Sequence, residues 1–477
     1  MFFQQIYEEK LAQYAYLIGC QATGEAIIID PMRDIDRYLE IAEKNNLSIT
    51  AAAETHIHAD YLSGLREFAE KGVKVFVSDE GTKDWKYEWV KGGNYIHQLL
   101  KKGDEFSVGN IKFTAIHTPG HTPEHICYLV TDGATAHEPM GIITGDFIFV
   151  GDVGRPDLLE TAAGHIGVME ESAKVLFQSI QEFRKMPGYW QLWPGHGAGS
   201  ACGKALGAVP ESTVGYEQRY NKSIRAAGSE SEFVKFILDG QPEPPLYFSR
   251  MKRDNKKGPK ILGELPQPKN ISVEKMIGQV RISNAVIVDT RNRTDFMNGH
   301  IQGSLLSPFT NDFSTTVGSY VEEDEDIYLI IEENAVAKAV LDLIRIGLDK
   351  ISGYITPDQI QQFAENGGEL FTTEILNFQQ AEDFLDAGKA NLLDVRRKSE
   401  FDEAHIPGSL NIAHTRLLER MLEVPQDKPV MVSCRTGRRA AVAAALMERA
   451  DFAVKYVDDK IEEWLEKNIQ YPTRNNQ

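Results

Sequence analysis

Thr55-His56-Ile57-His58-Ala59-Asp60-Tyr61 sets two imidazoles and a carboxylate at alternate positions, just after the run Leu47 to Ala53, which reads as a β-strand. Donors separated by single residues converge on one cation when the loop after a strand curls back. Three further donor segments lie outward from this one. His117-Thr118-Pro119-Gly120-His121 adds two imidazoles, Asp146 follows the short apolar stretch Gly141-Ile142-Ile143-Thr144-Gly145, and Pro194-Gly195-His196-Gly197 adds another imidazole. Candidate ligands thus fall at strand ends, in a first half where short strands such as Ala26-Ile27-Ile28-Ile29 alternate with glycine turns and helical stretches such as Ile35 to Lys44. This is an α/β pattern.

The bulk properties restrict the setting. At 477 residues, a guide of about 150 residues per domain gives three domains. Apolar content of 42% with 25% charged residues is that of an ordinary globular chain. A formal charge of -19 repels phosphates, so neither nucleic acid nor an anionic membrane is an expected partner. The four cysteines, Cys20, Cys127, Cys202 and Cys434, lie far apart without a CxxC, which argues against a disulfide framework or zinc finger. Reduced thiols, no basic leader and no run of about 18 apolar residues predict a cytoplasmic protein. Cys20 and Cys127 lie in strand-like stretches and are expected in the core.

Residues 1–240 are expected to form the first domain. Between 241 and 270 come Pro242-Glu243-Pro244-Pro245, the basic run Lys252-Arg253-Asp254-Asn255-Lys256-Lys257, and Pro266-Gln267-Pro268, a composition that predicts a solvated linker. An internal repeat follows. Val288-Asp289-Thr290-Arg291, Phe296 and Gly299-His300-Ile301-Gln302-Gly303-Ser304 match Leu393-Asp394-Val395-Arg396, Phe401 and Ala404-His405-Ile406-Pro407-Gly408-Ser409. Each copy, 271–366 and 372–470, reads as a small α/β unit with a central parallel sheet. Only the second carries a thiol, and aligning the copies sets Glu332 opposite Cys434, so the middle copy is expected to be structural or to dock partners.

In Val430-Met431-Val432-Ser433-Cys434-Arg435-Thr436-Gly437-Arg438-Arg439 a buried strand ends at a thiol followed by a glycine and three arginines. A helix starting at Arg438 or Arg439 aims backbone N–H groups and positive partial charge at the sulfur. Such a loop stabilises a thiolate and cradles a cysteine persulfide or an anionic acceptor.

Thr55 to Tyr61, Pro119 to Thr122, Gly145-Asp146 and Pro194 to His196 resemble the THxHxDH, PGHT, GD and PGH elements of the metallo-β-lactamase superfamily. The resemblance implies an αββα sandwich with a metal cleft at one edge. Hydrolases of that superfamily carry a histidine where Tyr61 stands, and its loss favours a mononuclear site. The segments Thr55 to Asp60, His121 to Ile126, Gly154-Arg155-Pro156-Asp157 and Gly197 to Cys202 resemble the persulfide dioxygenase branch in particular. That resemblance makes His56, His121 and Asp146 ligands of one Fe(II), a donor set typical of non-haem iron oxygenases. It puts His58, Asp60, Tyr61 and His196 around them, and Arg155 on the substrate. Lys204 and Arg219 are further cations for an anionic substrate. Cys202 is expected either near the iron in contact with sulfur or as a buried inert thiol, while His117 and His125 are expected to be structural.

The last hundred residues resemble the rhodanese family, which implies that Cys434 accepts sulfane sulfur while Arg435 and Arg439 hold the loop. Val457-Asp458-Asp459-Lys460-Ile461 departs from the family, which usually carries a glycine pair there. The expected activity is oxidation of a small thiol persulfide, such as glutathione persulfide, by O2 to sulfite and thiol. Cys434 then joins sulfane sulfur to sulfite as thiosulfate. The partners implied are these small molecules, with a homo-oligomer and no nucleic acid or membrane. The rival expectations are a dinuclear glutathione thioester hydrolase of the glyoxalase II kind and a non-enzymatic persulfide carrier.

Overall fold

The strand Gln13–Cys20 (β2) shows how the layers arise: Tyr14, Tyr16, Ile18 and Cys20 enter one buried cluster, while Ala15 and Leu17 enter another. A strand apolar on both faces must be covered on both. In the computed structural model, which describes residues 1–158, 167–204, 206–241 and 243–469, β2 lies inside a six-stranded sheet. That sheet runs in chain order through β1 (Phe2–Glu8), β2, β3 (Glu25–Ile29), β4 (Ser48–Ala53), β5 (Lys74–Ser78) and β6 (His97–Leu100). Strands β3 to β6 are parallel.

The second sheet has the order β12-β11-β10-β9-β8-β7, from β7 (Glu105–Val108), β8 (Ile111–His117), β9 (Ile126–Asp132), β10 (Gly141–Gly145), β11 (Gln191–Pro194) and β12 (Ser212–Thr213). Tyr16, Ile27, Phe106, Phe113, Tyr128 and Trp193 fill the space between the sheets. Helices α1 (Asp36–Lys44) and α2 (Leu65–Glu70) cover the outer face of the first through Tyr38, Leu65 and Phe68. Helix α3 (Met169–Phe183) covers that of the second through Leu176 and Ile180. The result is the expected αββα sandwich.

The stretch expected to be a solvated linker contains a helix, α4 (Phe248–Lys257), with Phe248, Met251 and Asn255 buried. Those positions, at i, i+3 and i+7, form one face, which the surrounding lysines and arginines concealed in the sequence. Lys252 Nζ lies 3.4 Å above the Trp85 ring rather than in bulk solvent. Pro242 and the expected boundary at 470 lie outside the described residues. The chain divides into two compact units, Met1–Glu264 with Ile344–Gly347, and Leu265–Leu343 with the chain from Leu348 onward. Among the described residues no helix is long and apolar enough to cross a membrane.

In the second unit the repeat becomes two parallel sheets with the same strand order. One runs β13-β17-β16-β14-β15, from β13 (Lys269–Asn270), β14 (Ala285–Asp289), β15 (Leu305–Leu306), β16 (Asp326–Ile330) and β17 (Ile351–Ile355). The other runs β18-β22-β21-β19-β20, from β18 (Glu374–Leu376), β19 (Asn391–Asp394), β20 (Leu410–Asn411), β21 (Val430–Ser433) and β22 (Val454–Val457). Details repeat too. Arg291 grips Asp289 and donates to the Gly299 carbonyl as Arg396 grips Asp394 and donates to the Ala404 carbonyl. Phe296 stacks on His300 with centroids 4.0 Å apart, and Phe401 on His405 at 3.9 Å.

Register corrects one expectation. Asp289 pairs with Ile330 and Asp394 with Ser433, so the residue opposite Cys434 is Ile331, not Glu332. A one-residue slip is invisible until ladder hydrogen bonds fix the alignment. The conclusion that the middle copy lacks a nucleophile stands on a buried isoleucine instead of a carboxylate.

Candidate metal centre and sulfur-transfer loop

Five strands of the sandwich end at one edge. The turns after β3, β4, β8, β10 and β11 carry Asp30, then His56, His58 and Asp60, then His121, Asp146 and His196, all buried. Backbone and side-chain acceptors fix the rings. His121 Nδ1 donates to the Arg155 carbonyl at 2.9 Å and His196 Nδ1 to the Ala12 carbonyl at 3.2 Å. His56 Nδ1 lies 2.9 Å from Thr55 Oγ1, itself 3.0 Å from the Asp30 carboxylate. Each Nε2 is thereby left to a ligand, the tautomer that metal binding needs.

His56, His121 and Asp146, the three residues that the resemblance gives to one Fe(II), bring one donor atom each within 4.8 Å of one another. Asp146 Oδ2 lies 3.9 Å from His56 Nε2 and 3.5 Å from His121 Nε2. Among the described residues both Asp146 oxygens, Asp60 Oδ2 and His196 Nε2 are buried without a hydrogen-bond partner. Burying unpaired carboxylate oxygens is costly, and a cation among them removes that cost, so the residues fit a metal. Burial first, then the neighbouring imidazoles, pushes the pKa of His56 well below the ordinary histidine value, which keeps the ring neutral and able to ligate.

A second donor set, Asp60, His196 and Cys202, meets the same 4.8 Å criterion. His196 Nε2 lies 3.3 Å from Asp60 Oδ2 and 3.5 Å from Asp146 Oδ1, so Asp146 faces both sets. The Cys202 thiol is buried and lies in this cluster. Burial, then the Asp146 and Asp60 carboxylates, raises its pKa well above that of a free thiol, an effect that a nearby cation reverses. Cys20 and Cys127 lie in β2 and β9, in the core.

Tyr61 points elsewhere. Its hydroxyl accepts from Gln13 Nε2 at 3.2 Å and donates to the Asp30 carbonyl at 3.3 Å. The His58 ring packs against it at a tilt, centroids 4.5 Å apart, and donates through Nε2 to Asp30 Oδ1 at 3.1 Å. Burial opposes protonation of His58, but Asp30 overrides it and holds the pKa at about 9. His125 Nε2 accepts the Asp146 N–H at 3.1 Å, and His117 Nε2 donates to the Pro123 carbonyl at 2.9 Å. Arg155 is committed to the fold: Nε and Nη2 grip Asp157 at 2.8 and 2.6 Å, and Nη1 donates to the Ala201 carbonyl at 3.2 Å. Lys204 donates to the Phe236 and Asp239 carbonyls, and Arg219 is exposed.

Two functional positions escaped the sequence reading. Asp30 receives the Thr55 N–H at 2.7 Å and ties Thr55 to His58; its signal was the acid ending Ile27-Ile28-Ile29-Asp30, the pattern that delivers Asp146. Asn255, on α4, donates to the His58 and Tyr61 carbonyls at 2.9 and 2.7 Å and accepts the Ser63 N–H at 2.9 Å. Nothing local in the sequence signals that role. Gly145 has φ +47°, and a Cβ there would lie 2.5 Å from Thr55 Oγ1, so only glycine lets Asp146 approach. Beside the His121 loop lies a cavity of about 280 Å³ walled by Trp85, Pro119, Pro123, Val168, Glu171 and Val175.

In the second unit β21 delivers Cys434 to the start of α5 (Arg438–Arg449), with Gly437 at φ +79° as its left-handed cap. Ala440 N–H points at Cys434 Sγ, 3.4 Å away. Arg439 makes a two-pronged pair with Glu400 at 2.6 and 2.8 Å, and Arg435 pairs with Glu462. The carbonyl of Arg435 receives the Ile461 N–H at 3.1 Å.

Comparison with known proteins matches two parts of the chain to families. Residues 9–196 match the metallo-beta-lactamase superfamily and residues 377–467 the rhodanese-like domain. A solved metallo-beta-lactamase from Staphylococcus aureus is 43% identical, covering 75% of this chain and 99% of that one with a TM-score of 0.68. A beta-lactamase hydrolase-like protein of Agrobacterium fabrum is 30% identical over 53% of this chain, which spans only 58% of that protein's length. The mitochondrial persulfide dioxygenase ETHE1 of Bos taurus is 26% identical over 49% of this chain and 79% of its own.

Proposed function

The chain belongs to the metallo-β-lactamase superfamily and carries a rhodanese-like domain, and from that premise we propose an Fe(II) persulfide dioxygenase coupled to sulfur transfer. The observation that carries the reading is the His56, His121, Asp146 donor set on the same chain as the Cys434 loop. Two imidazoles and one carboxylate are the donors of non-haem iron oxygenases. The bovine relative named a persulfide dioxygenase supports the same assignment.

The reaction proposed is RSSH + O2 + H2O giving RSH, sulfite and two protons. His56, His121 and Asp146 would hold the iron, which would supply open positions for a persulfide sulfur and dioxygen. The protein's part is orientation: Thr55, the Arg155 carbonyl and the His125 ring fix the two imidazoles and Asp146. The pocket beside the His121 loop, walled mainly by apolar side chains, suits the thiol moiety. At the second site the Cys434 thiolate takes the outer sulfur of another persulfide, releasing its thiol. Sulfite then attacks that sulfur, the bond to Cys434 breaks, and thiosulfate leaves as the thiolate is restored. Arg439 and the N–H groups at the start of α5 offset the anionic charge there.

A dinuclear thioester hydrolase is the second reading, favoured by one observation: Asp60, His196 and Cys202 form a second donor set beside Asp146. Tyr61 is no ligand, yet Cys202 compensates for the histidine whose loss argued for a single metal. Oxygen uptake with glutathione persulfide separates the two. The dioxygenase reading predicts oxygen consumption in both wild type and Cys434→Ser, with thiosulfate formed only by wild type. Absence of oxygen uptake by iron-loaded protein rejects it.

A further inference from the structure

The cysteine-less copy reaches the sulfur-transfer loop of its neighbour through one arginine. Arg293, between β14 and β15, sets Nε and Nη2 each 3.1 Å from Asp458 Oδ1. Asp458 follows β22 in the acidic segment that departs from the rhodanese pattern, and its carboxylate stands against the loop backbone. A Cβ built on Gly437 would lie 2.2 Å from Asp458 Oδ1 and 2.6 Å from the Tyr456 hydroxyl. Gly437 is the left-handed cap that starts α5 and aims the Ala440 N–H at Cys434. The same copy holds the far end of α5: Arg449 donates to the Gly303 carbonyl at 3.2 Å and pairs with Glu325 at 2.9 Å, and His300 lies 3.3 Å from Glu448.

A carboxylate touching a loop built to take anions should weaken that loop, because like charges repel over several ångströms wherever solvent screens them incompletely. Asp458 is about a quarter exposed, so its charge is only partly screened. We propose that Arg293 is a charge-screening, positioning residue of the Cys434 site: it neutralises Asp458, so that doubly charged sulfur oxyanions can approach the thiol past Gly437. The copy without a nucleophile thereby contributes to the specificity of the copy that has one. This inference rests on the sulfur-transfer reading of Cys434. In the step it serves, the Cys434 thiolate attacks the sulfane sulfur of thiosulfate, the S–S bond breaks, and sulfite departs with the bonding pair; formation of thiosulfate is the reverse.

The test uses the full chain with Arg293→Ala, Asp458→Asn and the double variant. Arg293→Ala should raise KM for thiosulfate about threefold to fivefold, the size of one partly exposed charge pair, with little change in kcat. The effect should shrink at high ionic strength, and Asp458→Asn in the same chain should restore KM. A second readout needs no turnover: the ratio of Cys434 alkylation rates by anionic iodoacetate and neutral iodoacetamide, followed by peptide mass spectrometry. That ratio should fall in Arg293→Ala and recover in the double variant. An unchanged ratio in Arg293→Ala, or no recovery on removing the Asp458 charge, overturns the proposal and leaves Arg293 a purely structural link. Wild type that fails to transfer sulfur overturns the sulfur-transfer reading instead, and the alkylation ratio still decides the role of Arg293.

Discussion

Cys202 carries more of the chemical question than any other side chain. It lies with Asp60 and His196 beside the Asp146 that also faces His56 and His121, and three roles were open to it or arise from that place: a thiol touching a sulfur substrate, a buried inert thiol, and a donor to a second cation. Under the mononuclear account Cys202→Ser retains one iron per chain; loss of about half of the bound metal, by elemental analysis, contradicts it. Asn255 is the residue that holds the metal loop from a distance in sequence. Replacing it by alanine breaks three buried hydrogen bonds to the segment His58 to Ser63. The expected cost is about 2–4 kcal/mol in urea unfolding of the first unit, with lower metal occupancy. An unchanged unfolding midpoint together with full occupancy would show that the loop holds itself. The candidate donors were legible in the sequence because they cluster at alternate positions and beside glycines; Asp30 was marked only by ending an apolar strand as Asp146 does, and Asn255, which acts through a fold contact, by no local pattern at all.

At the scale of elements, strand ends aim the donors and helix starts aim the N–H groups. The short helix carrying Glu400 is tied to α5 by the Glu400 to Arg439 pair, each side chain less than one-third exposed. Burial opposes ionisation of Glu400, but Arg439 overrides it and holds the pKa at about 2, below the ordinary 4.5. A carboxyl depressed by folding contributes stability that is complete above pH 4.5 and lost as pH falls toward 2. Glu400→Gln should therefore destabilise the second unit by on the order of 2 kcal/mol at neutral pH, with the difference from wild type vanishing near pH 2. Near-ultraviolet circular dichroism at graded pH reads this, and a constant offset down to pH 2 contradicts it. The parallel sheets of the repeat were legible from apolar strands ending in Asp-x-Arg. Helix α4 was not, because its two buried apolar side chains, Phe248 and Met251, lie among cations and polar residues, with Arg250 and Asn255 buried beside them.

At the scale of the molecule, one chain carries a buried candidate metal cradle and, in a separate compact unit, two copies of one α/β pattern, the second of which bears the Cys434 loop. The alternation of strands and helices was readable as α/β, while the αββα layering followed from the resemblance of the donor segments to the metallo-β-lactamase superfamily. Sheet register was not readable, which is why Ile331 rather than Glu332 lies opposite Cys434. The number of metals was also not readable, since Tyr61 argued for one while Cys202, far along the chain, supplies a further donor. Metal content therefore tests the central claim most directly. Elemental analysis of protein purified without added metal should find one iron per chain and little zinc, whereas two zinc ions per chain would contradict the dioxygenase account.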